Sequence, residues 1–200
     1  STADIDDIKK QAFTESIGVL TATSFSVSAE SYSRELPFYS DIYFESVPDE
    51  FVDVKSNEWK WTEGQADLPI IIPSFFLDLY NFGMAQSREE LPQLSPEAVM
   101  AIPIKINIKG NGQAQEITGH VVGMTDRINS VLIPQSFMNW ANAKYGYNQQ
   151  TQRITRVVLK TKDPSSPKLT SYLKDKKLRT NEDKTRFSKA RTAVNIIVNV

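Results

Sequence analysis

Ile71-Ile72-Pro73-Ser74-Phe75-Phe76-Leu77-Asp78-Leu79-Tyr80-Asn81 has an echo later in the chain, Leu132-Ile133-Pro134-Gln135-Ser136-Phe137-Met138-Asn139-Trp140-Ala141-Asn142. Counted from the proline, both carry Phe at +3, Leu or Met at +4 and Asn at +8, and a glycine follows each, Gly83 and Gly146. Proline fixes φ near its helical value and suits the first turn of a helix, so each stretch reads as an apolar strand running straight into a short helix. Side chains at +3, +4 and +7 then share one helical face. The two glycines are expected to supply left-handed stops. Joints of this kind recur in α+β domains generally. Neither copy contains reactive chemistry.

Outward from these units the pattern stays mixed. Residues 17–29 are rich in β-branched side chains and alternate late, Phe25 and Val27 against Ser24, Ser26 and Ser28, as a strand with one wet face does. Residues 37–44 and 51–61 read as further strands joined by the turn Val47-Pro48-Asp49-Glu50, with Trp59 and Trp61 on one face as core. Residues 84–99 form a polar connector punctuated by Pro92 and Pro96. Ile104, Ile106 and Ile108 alternate with lysine and asparagine, Lys109-Gly110-Asn111-Gly112 turns the chain, and residues 114–124 return as the second arm of a hairpin. Residues 148–152 are polar and loop-like, and 155–160 read as a strand.

Helix signals sit mainly near the ends. Thr2 can cap a short first helix, with Asp4, Asp6 and Asp7 at its positive end and Ile5 and Ile8 turned inward. Ser166 and Pro167 start another, whose buried stripe is Leu169, Tyr172 and Leu173. Phe187, Ala190, Val194 and Ile197 follow helical spacing, so residues 186–200 are expected to close the chain as a helix. Strands fed by short helices, plus a hairpin, predict a mixed α+β architecture rather than a doubly wound one.

Composition narrows the function classes. At 200 residues the chain is one large domain or two small ones, able to bury roughly 70% of its unfolded surface. A formal net charge of −1 gives no basic field for nucleic acid, so no nucleic-acid partner is expected. The absence of cysteine removes disulfides, thiolate nucleophiles and cysteine metal sites without fixing the compartment. No signal peptide is present, and no apolar run approaches the ~18 residues that a membrane helix needs. The chain opens on Ser1-Thr2-Ala3 without methionine and becomes more apolar towards Val198-Asn199-Val200, with neither glycine nor proline after Asn181. Two readings follow: a terminal helix packed on its own core, or a domain excised from between membrane spans.

No catalytic set emerges. Gly110-Asn111-Gly112 lacks the Lys-Ser/Thr of a phosphate loop. His120 is the single histidine, which rules out zinc sites needing two imidazoles, and no Gly-x-Ser-x-Gly elbow exists to use it as a base. Ser171-Tyr172-Leu173-Lys174 fits the Ser-x-x-Lys pattern of penicillin-recognising enzymes, but its Tyr and Leu form the core stripe and neither Ser-Asp-Asn nor Lys-Thr-Gly follows. Glu45, Asp49, Glu50 and Asp53 do not match the spacing of a calcium loop and read as a solvated turn. The basic group Lys174, Lys176, Lys177 and Arg179 reads as an exposed helix face. No enzyme, cofactor or metal site is expected. Exposed aromatics near helix ends make reasonable partner anchors, and Phe82, Tyr145 and Tyr147 are the candidates.

One family carries these features in this order. Gly119-His120-Val121-Val122-Gly123-Met124-Thr125-Asp126-Arg127-Ile128-Asn129-Ser130-Val131-Leu132-Ile133-Pro134, with the run to Tyr145-Gly146, resembles the periplasmic region of MacB/FtsX-type ABC transporter permeases, where a strand bearing two apolar residues and glycine leads through a loop to an apolar pair, proline and a short helix. Glu45-Ser46-Val47-Pro48-Asp49-Glu50-Phe51-Val52-Asp53-Val54 is similar to that family's segment between early strands. Leu68-Pro69-Ile70-Ile71-Ile72-Pro73 with Leu79-Tyr80-Asn81-Phe82-Gly83 is similar to its next strand and helix. The likeness runs through nearly the whole chain.

The resemblance implies a discontinuous porter-like α+β subdomain from residues 1–33 and 150–200, with a strand-rich, Sabre-like insert at 34–149. It also implies transmembrane helices of the same permease just before Ser1 and just after Val200, at the periplasmic face of the bacterial inner membrane. Lys184, Arg186, Lys189 and Arg191 would flank the second span on its outer side, against the positive-inside tendency, although folded domains translocate largely regardless of charge. Implied partners are a cytoplasmic ATPase subunit or domain, a second permease copy, and a periplasmic protein or substrate. The role would be to turn ATP-driven helix motion into a change of shape, in efflux, lipoprotein release or cell-envelope signalling, with the helices at 3–12 and 186–200 as stiff levers. The alternative is a free-standing periplasmic adaptor or ligand-binding module.

Overall fold

In the structure, a computed structural model, residues 2–32, 38–88, 90–147, 156–180 and 194–199 are described. In chain order the elements begin with α1 (Thr2–Lys9), β1 (Thr14–Val19), β2 (Thr21–Ala22), β3 (Ser26–Ser31), β4 (Tyr39–Ile42), β5 (Phe44–Ser46), β6 (Asp67–Pro73) and α2 (Phe75–Asp78). They continue with α3 (Pro96–Ala101), β7 (Ile104–Gly110), β8 (Gln113–Thr125), β9 (Val131–Leu132), α4 (Gln135–Tyr145), β10 (Arg156–Thr161), α5 (Pro167–Asp175), β11 (Arg179–Thr180) and β12 (Val194–Asn199). Helices and mixed sheets together make the α+β class expected from the sequence. Among the described residues no helix is long and apolar enough to cross a membrane.

The chain divides into two units. The first takes Ser1–Thr21, Val47–Val52 and Thr151–Val200, and so draws on both ends of the sequence. Its sheet has the order β1-β10-β12-β11, with β10 antiparallel to both neighbours. Ile5 and Ile8 of α1, Leu169 of α5, Val157 and Leu159 of β10 and Val198 of β12 form its core, with Tyr172 and Leu173 packed at the edge. Phe51, buried at the end of a 3-10 turn over Asp49–Phe51, lies against Gly18, where a methyl group would come within 2.6 Å of the ring.

A polar knot ties α5 to α1. The Tyr172 hydroxyl donates to Asp7 Oδ2 at 2.9 Å, and Lys176 Nζ reaches the same oxygen at 2.7 Å. Lys176 and then Tyr172 hold the Asp7 carboxyl below its ordinary value, while burial and the Asp7 hydrogen bond push the Tyr172 phenol up to about 12. Asp7 hydrogen bonding likewise raises Lys176.

The second unit is Ala22–Ser46 with Asp53–Gln150. Its strands lie in an eight-stranded sheet of order β2-β5-β9-β6-β8-β7-β3-β4. β6 is parallel to β8 and β5 to β9, while β7–β8, β3–β7 and β3–β4 are antiparallel. Leu68, Ile70 and Ile71 of β6 are buried in an almost unbroken run, as a central strand paired in parallel requires. Helix α4 packs Phe137, Met138, Ala141 and Tyr145 into a core with Phe25, Phe44, Trp61, Ile106 and Ile108. The β7–β8 hairpin turns through Asn111 (φ 47) and Gly112 (φ +72), both in the left-handed region, which is the requirement of a type I′ turn.

Several expectations change in three dimensions. Residues 17–29 divide among β1, β2 and β3, and β3 pairs with β4 and β7. The second unit begins at Ala22, and Val47–Val52 belongs to the first. Residues 51–61 form no strand: Phe51 ends a 3-10 turn, the Trp59 amide donates to Ser56 O at 3.2 Å in a turn, and Trp59 and Trp61 are buried from irregular chain. Val194–Asn199 is a strand instead of a helix. Its β-branched run loses χ1 freedom in a helix and here fills a ladder against β10 along its length. Phe187, Ala190, Lys184, Arg186, Lys189, Arg191 and the expected loop at 148–152 lie outside the described residues. Gly83 sits within a π-helical turn, and Gly146 ends α4 with φ −62 and ψ 134, so neither is a left-handed stop. Gly146 is needed for close approach, since an added methyl would lie 2.5 Å from Ser24 Oγ and overlap the Asn142 carbonyl.

Two outcomes follow from this packing. A methyl at Gly110 would overlap the Tyr145 carbonyl, so Gly110→Ala should cost roughly 1–3 kcal/mol of stability in urea unfolding. Because the folded pKa of Tyr172 exceeds its ordinary 10.0, its contribution is full below pH 10 and is lost as pH rises through about 12. An ultraviolet titration, with Tyr172→Phe as the reference, should place the phenol near 12; Asp7→Asn should lower it only part of the way, burial being the larger cause. The Asp7 contribution runs the other way, present above its ordinary 3.8 and lost as pH falls below it.

Candidate apolar binding site

The two strand–proline–helix units are both real, and they are used differently. In the later one, β9 leads through Ile133 and Pro134 into α4, and its +3, +4 and +7 residues, Phe137, Met138 and Ala141, are fully buried. In the earlier one, β6 ends at Pro73, α2 follows, and the helix widens into a π-helical turn over Leu79–Met84 and a 3-10 turn over Ala85–Ser87. Its equivalent residues, Phe76, Leu77 and Tyr80, face a cavity of about 320 Å³.

Asparagine at +8 does the same job in both copies. Asn142 Oδ1 accepts from Ser24 N at 2.8 Å and from Ser24 Oγ at 2.9 Å, while its Nδ2 donates to Ala22 O at 3.1 Å. Asn81 Nδ2 donates to Leu94 O and its Oδ1 accepts from Leu94 N, each at 2.8 Å. Each side chain satisfies both polar groups of a remote backbone segment, as buried polar groups demand. Beside the Asn81 clamp, the Tyr80 hydroxyl donates to Pro92 O at 2.9 Å. The connector after the 3-10 turn is thus pinned along the helix and becomes the outer wall of the cavity, contributing Leu91 and Leu94. Ser95 then caps α3, accepting from Ala98 N at 3.2 Å with Pro96 in the first turn, and α3 presents Val99 to the cavity beside Ile102. Ile72 and Ile104 come from strands, and Arg88 is the one charged side chain among the described lining residues.

The helix is apolar on its outside as well. Phe75, Leu79 and Phe82 are exposed, Phe82 by 64%. Of the anchors expected from the sequence, Phe82 and Tyr147 (61% exposed) lie at the surface, and the Tyr147 hydroxyl donates to Lys109 O at 3.2 Å. Tyr145 does not. It is 1% exposed, packed between Trp140 and Phe25, with its hydroxyl on Gln115 Oε1, because at +11 from Pro134 it continues the buried face of α4.

The remaining polar candidates lie outside the lining of this cavity. Asp53 Oδ1 accepts from the buried Thr125 hydroxyl at 2.7 Å and its other oxygen stands 3.7 Å from Arg127 Nε; Thr125 Oγ1 in turn accepts from Arg127 N at 3.1 Å, fixing the β8–β9 loop. His120 Nε2 is 3.6 Å from Glu58 Oε2 at the surface. Ser171 and Lys174 are both exposed on α5, and Lys176 is engaged with Asp7. Among the described residues no three His, Asp or Glu side chains are grouped to hold a metal ion. A second hollow of about 440 Å³ lies beside Trp61 and Trp140, with Trp140 Nε1 donating to Glu63 at 2.9 Å and Lys144 over the Trp140 ring at 4.8 Å. The cavity beside α2, with its almost wholly apolar described lining, can hold apolar matter.

The cavity itself escaped the sequence reading. The available signal was a second apolar set, Leu91, Leu94, Val99 and Ile102, in the connector directly after the first unit. The family described as "PCD-like: Probable transporter periplasmic core domain" matches residues 1–183. No curated protein matches the chain.

Removing the clamp should loosen the wall locally. Asn81→Ala is expected to speed hydrogen exchange of the Leu94 amide about five- to tenfold, the scale of one lost hydrogen bond, while amides of β10 stay unchanged.

Proposed function

The chain belongs to the PCD-like family of probable transporter periplasmic core domains, and from that membership we propose that it is the extracytoplasmic domain of a MacB/FtsX-type ABC permease at the bacterial inner membrane. In this role ATP hydrolysis by a cytoplasmic subunit or domain moves the helices of the permease, which works with a second copy. The domain turns that motion into a change of shape acting on a periplasmic protein or substrate. It performs no chemistry of its own.

The family match over residues 1–183 is the observation that carries this reading. The topology of the first unit is consistent with it. β1 and β12 flank β10, both antiparallel to it and hence parallel to each other, so segments near the two ends of the chain share one set of ladders. A displacement applied at either end would load a single layer, the kind of element through which rigid-body switching works. We read this first unit as porter-like and the second as the inserted strand-rich part. Phe82 and Tyr147 are the proposed partner anchors, since exposed aromatics bury much area at small entropic cost.

The coding sequence on either side of the fragment tests the reading directly. It should encode about 20 apolar residues immediately before Ser1 and again immediately after Val200, with two further spans downstream. A start and a stop codon at these positions would sink the permease assignment and leave a free-standing periplasmic adaptor.

A further inference from the structure

We propose that the cavity beside α2 is a binding site for a single-chain amphiphile with an anionic head, such as a fatty acid, its alkyl chain enclosed in the cavity and its carboxylate on Arg88. The inference is separate from the permease role, since it concerns what the second unit holds and not what moves it.

The cavity is built rather than left over. Its outer wall is pinned by the Tyr80–Pro92 hydrogen bond and by the double clamp of Asn81 on Leu94, so the connector cannot fall inward to fill the space. The later copy of the same unit shows the filled alternative, with Phe137, Met138 and Ala141 sealed in a continuous core. In the earlier copy the corresponding face meets about 320 Å³ of open volume instead. A pocket whose described lining is almost wholly apolar favours apolar over polar occupants. The size lies at the lower end of small-molecule pockets, roughly 300–1,000 Å³, which fits one alkyl chain and not a two-chain lipid.

The mouth specifies the head. Phe76 and Met84 remain 39% and 46% exposed at the opening, apolar surface that a bound chain would cover. Arg88 is exposed among the same lining residues, and no ion-pair partner for it occurs among the described residues. A guanidinium pairs with a carboxylate through two parallel hydrogen bonds, so a monoanion complements this rim and an ammonium does not. Tyr80 and Met84 both come from the π-helical turn, a helix defect that is frequent at functional sites.

Calorimetric titration of the 200-residue chain tests this, using dodecanoate, dodecyltrimethylammonium and phosphatidylglycerol vesicles, the single-chain probes below their micelle concentrations. One dodecanoate should bind per chain, at least tenfold more tightly than dodecyltrimethylammonium. Val99→Trp should fill the cavity and abolish binding. Arg88→Glu should weaken dodecanoate about tenfold and reverse the preference between the two probes. Equal binding of both probes to wild type and Arg88→Glu, dodecanoate binding that survives Val99→Trp, or binding to vesicles alone would each overturn the proposal. If Val99→Trp does not fold by far-ultraviolet circular dichroism, the charge reversal at exposed Arg88 decides the matter by itself.

Discussion

β8 lies between β6 and β7, and that single feature of strand order shapes the second unit. β7 and β8 are joined by a two-residue turn and must be antiparallel neighbours. β6 pairs with the other edge of β8, in parallel, so the chain leaving Pro73 cannot enter β7 through a tight turn. It has to pass an interposed strand first. Residues 74–103 make that passage, and they carry α2, the π-helical turn, the clamped connector and α3. The candidate site is thus a consequence of topology: a long detour was required, and its hydrogen-bond tethers leave space beneath it.

The doubled unit shows how one local code yields two outcomes. Proline, Phe, Leu or Met and Asn at matching positions produce the same strand-to-helix joint and the same backbone clamp twice. What differs is the layer each helix meets. α4 meets Phe25, Trp61 and the isoleucines of β7, so its apolar face disappears into a close-packed interior. α2 meets a polar connector with a few apolar side chains and keeps exposed aromatics outside a walled cavity inside.

The first unit rests on a different economy. Its helices are short, and α1 and α5 are fastened to each other through Asp7, Tyr172 and Lys176 above a small core of Ile5, Ile8, Leu169 and Val198. The ladders of β10 with β1 and β12 join remote parts of the sequence into one sheet. Such non-local pairing is slow to form in folding, because the intervening chain must be closed before the ladder rewards it.

The sequence by itself determined whatever is set by a few adjacent residues. The hairpin followed from alternating isoleucines and the Asn111-Gly112 turn, the strand–proline–helix joints from Pro73 and Pro134, and the start of α5 from Ser166 and Pro167, because φ preferences and side-chain period act over three or four positions. Tertiary structure decided what depends on distant partners. Val194–Asn199 carries a spacing compatible with helix, and only the open edge of β10 makes it a strand. Tyr145 and Tyr147 are two residues apart, yet one is core and the other surface, because α4 ends between them. The cavity needs Ile72, Tyr80, Leu94, Val99 and Ile104 to meet across a connection that no short-range rule describes. Local preference has no access to such meetings; burial is a property of the layer a residue finally packs against.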